Sequence, residues 1–123
     1  MESRIVESWL LLVYVDCLMR CRGLGSIEAT VRKQRVIPWA EKDDASSLCG
    51  AVDMACVFYF KPVLCLQRSA ATTILLRRYG WKAEMVIGAQ MLPFQAHAWV
   101  EVDGSVVNDR PYIRDIFQEL ARC

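Results

Sequence analysis

Cys65, the single histidine His97, and Asp109 supply a thiol, an imidazole and a carboxylate, in that order, within 123 residues. These are the working parts of cysteine-nucleophile hydrolases and acyltransferases. Cys65 follows the loop Lys61-Pro62-Val63-Leu64 and precedes a helical pattern, so it is expected at a helix start. There, free backbone N–H groups and the positive end of the helix dipole stabilise a thiolate and can receive an oxyanion. Histidine is the side chain that ordinarily titrates near neutrality, so a Cys–His pair in this chain must use His97.

Whether Asp109 meets His97 depends on the turn at Val102-Asp103-Gly104. A two-residue turn on Asp103-Gly104 pairs Val102 with Ser105 and Ala98 with Asp109, which puts Asp109 on the face opposite His97. A three-residue turn with Gly104 left-handed pairs Glu101 with Ser105 and sets His97 across from Asp109, with Cβ atoms about 4.5–5.5 Å apart. The three-residue turn is the expectation. Glu101 shares the His97 face but sits further along the strand, Asp103 belongs to the turn, and Asn108 points away in this register. Trp99, Gln95 and Gln67 are the candidate substrate contacts, with packing the competing use for Trp99. No Gln or Asn occurs between Phe58 and Leu64 to serve as a side-chain oxyanion donor.

The elements that must position these residues are read from periodicity. Residues 2–21 form a first helix, with Ile5, Trp9, Leu12, Val13 and Cys17 near helical spacing and a glycine stop at Gly23. A short helix begins near Ser26 and ends before Pro38. A polar loop runs from Trp39 to Asp44. A third helix spans 44–59 with Asp43 or Asp44 as its cap; it is apolar nearly all round and is expected to be buried. The fourth runs from Cys65 to Tyr79, with Leu66, Ala70, Ile74 and Leu75 inward and Gly80 as its stop. The period then changes to two. Strands are expected at 81–90, 94–102 and 105–109, with Met91-Leu92-Pro93 between the first two. Pro111–Ala121 reads as a short terminal helix with Ile113, Ile116, Phe117 and Leu120 on its apolar side. Helices first and antiparallel strands later give an α+β domain, N-terminal helices packed on a small antiparallel sheet. The whole of 1–123 is expected to be one domain, 1–60 its helical part and 61–123 the nucleophile helix and sheet.

Composition narrows the function classes. Hydrophobic residues make up 54% and charged residues 24%, so the chain is globular. Fifteen basic against fourteen acidic residues leave a net charge of +1, which argues against nucleic acid. Arg32-Lys33-Gln34-Arg35 reads as a solvated helix face. The apolar run Trp9–Val15 is too short to span a bilayer and is flanked by acids, so no membrane segment or secretory signal is expected. The six cysteines include no C-x-x-C pair, and one histidine does not complete the common zinc patterns, so no metal or other cofactor is expected. Cys17 with Cys21 and Cys49 with Cys56 are spaced as buried thiols on helix faces, in a reducing cytoplasm.

Cys65-Leu66-x-Arg68-Ser69 opening a helix, Arg77-Arg78-x-Gly80 closing it, then Ala96-His97-Ala98-Trp99-Val100-Glu101, Asp103-Gly104 and Asn108-Asp109 resemble the transglutaminase-like leader peptidases of lasso-peptide biosynthesis. The resemblance covers about residues 45–115. It implies a transglutaminase-like, papain-like core with Cys65 as nucleophile, His97 as general base and later acid, and Asp109 as the orienting residue. It further implies hydrolysis, through a thioester, of one bond between the leader and core of a precursor peptide. A separate cyclase similar to asparagine synthetase would then close the ring. The first ~60 residues are too few for a β-rich recognition domain as well as the peptidase's own helices, so a stand-alone peptidase served by a separate leader-recognition protein is expected. Two other functions fit the residues: a transglutaminase-like acyltransferase or deamidase, and a non-catalytic peptide-binding scaffold.

Overall fold

The computed structural model describes residues 2–38, 44–91 and 93–123. The polar loop expected at 39–44, Asp43 as a cap, and Leu92 lie outside them, Asp44 excepted. Among the described residues the chain runs α1 (Glu2–Arg22), α2 (Leu24–Lys33), α3 (Ala45–Val57), α4 (Cys65–Arg78), β1 (Ala83–Met91), β2 (Phe94–Val102), β3 (Ser105–Val106), α5 (Ile113–Ile116) and β4 (Gln118–Arg122). The strands form one antiparallel sheet in the order β3-β2-β1-β4. This is the expected α+β architecture.

Helix α4 lies at the centre, packed against α1, α2 and α3 on one side and against β1 and β2 on the other. Every residue from Ser69 to Arg77 is buried. Ala70, Ala71, Ile74 and Leu75 meet Leu12 and Val15 of α1, Ile27 and Val31 of α2, Leu48 and Val52 of α3, and Met85 and Val100 of the sheet in one apolar cluster. Small residues at 70 and 71 let α4 approach its neighbours closely, and each large side chain here is worth about 1.5–3 kcal/mol of burial. The helix ends where Gly80, at φ 88, lets its own N–H reach Arg77 O and Trp81 N–H reach Leu76 O. The same end of α4 is tied by the buried Arg77, whose Nε donates to Ala83 O at 2.9 Å and whose Nη1 donates to Gln34 O at 3.1 Å and to Val31 O. One guanidinium thus serves three carbonyls, two at the end of α2 and one at the start of β1.

Several expectations are corrected. Cys17 and Cys21 are exposed on α1, because the inward stripe of that helix is Leu11, Leu12 and Val15; Cys49 is the buried thiol. Helix α3 shows Asp53, Met54 and Val57 to solvent rather than being covered all round. The terminal helix is one turn only. Residues 118–122 instead form β4, hydrogen-bonded to the free edge of β1, with Ile116 and Leu120 exposed. The third strand stops at Val106 instead of Asp109.

Candidate active site

Cys65 is the first residue of α4, preceded by Leu64 in extended conformation (φ −75°, ψ 155°). The first intrahelical bond, Arg68 N–H to Leu64 O at 3.0 Å, leaves the N–H groups of residues 65–67 without acceptors inside the helix. His97 lies on β2, and Cys65 and His97 line one cleft of about 220 Å³ with Glu28, Leu66, Ile87, Ala96 and Ala98. The cleft walls are mostly apolar.

The hairpin turn is the two-residue one. Asp103 (φ 51) and Gly104 (φ 80) are both left-handed, Val102 pairs with Ser105, and Glu101 pairs with Val106. The expected three-residue register is therefore wrong, and by ladder geometry alone Asp109 would face away from His97. Nevertheless His97 Nε2 and Asp109 Oδ2 are 2.6 Å apart. The reason is Asn108. After Val107 N–H bonds Val100 O at 3.0 Å, the next acceptor for the Val100 N–H is the side-chain Oδ1 of Asn108, at 2.7 Å. A side chain takes the place of backbone in the ladder, so the main chain leaves the β2 edge and Asp109 comes round to the imidazole.

Helix α4 holds that departure in place. Arg68 Nη2 donates to Asn108 O at 3.1 Å, and Asn108 Nδ2 donates to Ser69 Oγ at 3.2 Å. Ser69 Oγ in turn donates to Ala98 O at 3.0 Å, on the strand that carries His97. Residues 68 and 69 thus fasten the helix that begins at Cys65 to both the histidine strand and the aspartate turn. Partial burial pushes the Asp109 carboxyl up, but the His97 hydrogen bond, the Arg110 N–H at 2.8 Å and the charges of His97 and Arg68 outweigh it. The group stays below the usual carboxylate range.

Beneath the imidazole lies an aromatic shelf. Phe117 and Trp99 stack near His97 with ring centroids 5.3 and 6.2 Å away. Gly88, opposite His97 on β1, makes room for the indole: a Cβ there would sit 2.7 Å from Trp99 Cη2. Trp99 is only 1% exposed, and its Nε1 donates to Glu101 Oε2 at 2.8 Å, so it is packing and not a substrate contact. Glu101 is also held by Arg122 of β4 at 3.1 Å, which removes it as a partner for His97.

Gln67 is likewise not available to substrate. It is 5% exposed; its Oε1 accepts from Leu64 N–H at 3.1 Å and its Nε2 donates to Asp16 Oδ1 at 2.9 Å. Gln95 is exposed at the β2 start, paired with Gln90. Sequence reasoning missed Asp16, Phe117 and the roles of Arg68, Ser69 and Asn108. For Asn108 the signal existed, in an amide adjacent to the candidate acid, but the assumed register turned it away. Asp16 and Phe117 are brought in by tertiary packing and left no local pattern.

The family model described as the transglutaminase-like superfamily matches residues 11–122. A 57-residue segment is 42% identical to the microcin J25-processing protein McjB of Escherichia coli, covering 46% of this chain and 27% of that protein. The matched segment is thus about a quarter of the relative's length. No solved structure matches.

Proposed function

This chain belongs to the transglutaminase-like superfamily, and on that footing we propose that it is a cysteine peptidase that removes the leader from a lasso-peptide precursor. The observation that carries the reading is the His97–Asp109 pair at 2.6 Å beside a cleft that Cys65 also lines. The partial likeness to a microcin-processing protein supports the substrate class.

Asp109 engages Nε2, which leaves Nδ1 of His97 to take the Cys65 proton. The thiolate attacks the scissile carbonyl, and the N–H groups at the start of α4 hold the oxyanion. On collapse the C–N bond breaks, and the imidazolium gives its proton to the departing amine of the core peptide. Water, deprotonated by His97, then attacks the thioester, releasing the leader as an acid and restoring the thiol. Asp109 stabilises the imidazolium throughout. Residues from the helical part and from the sheet contribute to this one peptidase domain. The partners the reading carries with it are the leader peptide, a leader-recognition protein and a macrolactam-forming cyclase similar to asparagine synthetase.

The test incubates the protein with a precursor peptide and follows masses. Hydrolysis gives a free core and a leader acid; Cys65→Ala abolishes both products while leader binding persists. Cleavage that survives Cys65→Ala would sink the reading. A product in which the leader acyl group is joined to an added amine would instead identify an acyltransferase, the second activity open to a thioester on this fold.

A further inference from the structure

We infer that Asp16, on α1, is a positioning residue for Cys65, acting by dictating which way the Gln67 amide points. The inference rests on the reading of Cys65 as the nucleophile. The direction in which Cys65 leaves the loop is set by the Leu64 backbone, whose N–H is held by Gln67 Oε1 at 3.1 Å. An amide can present either its oxygen or its nitrogen to a given neighbour. A carboxylate accepts only, so Asp16 Oδ1, 2.9 Å from Gln67, selects Nε2 and thereby turns Oε1 toward Leu64.

Asp16 gathers the segments on both sides of the nucleophile. Lys61 Nζ lies 2.8 Å from Oδ1, Tyr59 OH donates to Oδ2 at 3.3 Å, and Arg20 of the same helix stands at 3.8 Å. Residues 59 and 61 precede Cys65 and residue 67 follows it. Asp16 is 6% exposed, so water does not substitute for these bonds, and a shielded site strengthens them. The Lys61 hydrogen bond outweighs burial and holds the Asp16 carboxyl below the usual range, which keeps it an acceptor at neutral pH. Apolar replacements of a buried ionic cluster often cost no stability. What they cannot do is orient an amide.

The experiment measures alkylation of Cys65 by iodoacetamide at fixed pH, read by mass on the Cys65-containing peptide, alongside kcat and KM for precursor cleavage. Asp16→Leu removes both the negative charge and the oxygen that accepts from Gln67 Nε2; charge alone would favour the thiolate and speed alkylation. Loss of positioning has the opposite sign: alkylation slows, and kcat falls about tenfold with KM nearly unchanged. Asp16→Asn removes the same charge but keeps an oxygen that Lys61 holds toward Gln67 Nε2, so alkylation and kcat stay at or above the wild-type rate. Should Asp16→Leu fail to fold, Gln67→Met removes the amide while leaving Asp16, Lys61 and Tyr59 together, and it is expected to slow alkylation likewise. Alkylation at or above the wild-type rate in Asp16→Leu or Gln67→Met, or a loss in Asp16→Asn as large as in Asp16→Leu, overturns the positioning role. Cleavage that survives Cys65→Ala overturns instead the reading of the reaction.

Discussion

Asn108 does more for the site than its neighbour's chemistry suggests. Its Oδ1 satisfies the Val100 N–H, its Nδ2 reaches Ser69, and its carbonyl receives Arg68. Asn108→Ala strands a buried backbone N–H at a cost of about 1–3 kcal/mol, and it releases the turn that carries Asp109. Urea unfolding is expected to show the stability loss, and precursor cleavage a fall in kcat of about tenfold or more. Cleavage at the wild-type rate would show that Asp109 is held without it. At this scale the sequence was readable by residue type: one histidine, one cysteine after a proline loop. It was not readable where a side chain replaced backbone, because ladder counting assumes that main chain pairs with main chain. The same limit applied to Gln67 and Trp99, whose polar atoms suggested substrate contact but are satisfied inside the fold.

Among the elements, the second hairpin shows what length can fix. Its turn holds two left-handed residues, and Asp tolerates that conformation well enough at 103 to make the two-residue form available. Deleting Gly104 leaves one residue between Val102 and Ser105, too few for their turn, so the register of β3 against β2 must slip. The expected outcome is separation of Asp109 from His97 and loss of cleavage by at least about tenfold, with little change in melting temperature because the turn is exposed. A shortened variant that cleaves normally would show that Asn108 re-docks independently of the turn. Helix α4 and strand β2 were legible end to end, since Pro62 and Gly80 bound one, and the other runs from Pro93 to the Asp103-Gly104 turn with a period of two over most of its length. Strand β4 was not. Gln118-Glu119-Leu120-Ala121-Arg122 has no β-branched residue, and Ile113, Ile116, Phe117 and Leu120 recur at helical spacing. The free edge of β1 decides its conformation, and no local pattern records that edge.

For the molecule as a whole, two depressed carboxylates sheltered from solvent contribute to the acid limit. Asp16 and Asp109 both titrate below their ordinary value in the folded state. On the acid side the unfolded chain therefore binds more protons than the native one, and stability rises with pH there. Their contribution is fully present above about pH 4–5 and is lost as pH falls through the lowered values. Melting temperature should drop from about pH 5 toward pH 2, and Asp16→Asn should flatten part of that slope. An identical slope in the variant would refute the assignment. No helix among the described residues is long and apolar enough to cross a membrane. The two halves of the site also differ in how far the chain must travel to make them. His97 and Asp109 are twelve residues apart and meet within one hairpin, a short loop with a small closure cost. Cys65 joins them only when α4 docks on the sheet through Ser69 and Arg68. A chain still folding can thus hold its imidazole and carboxylate together while the thiol remains elsewhere, and the three groups share one place only in the finished molecule.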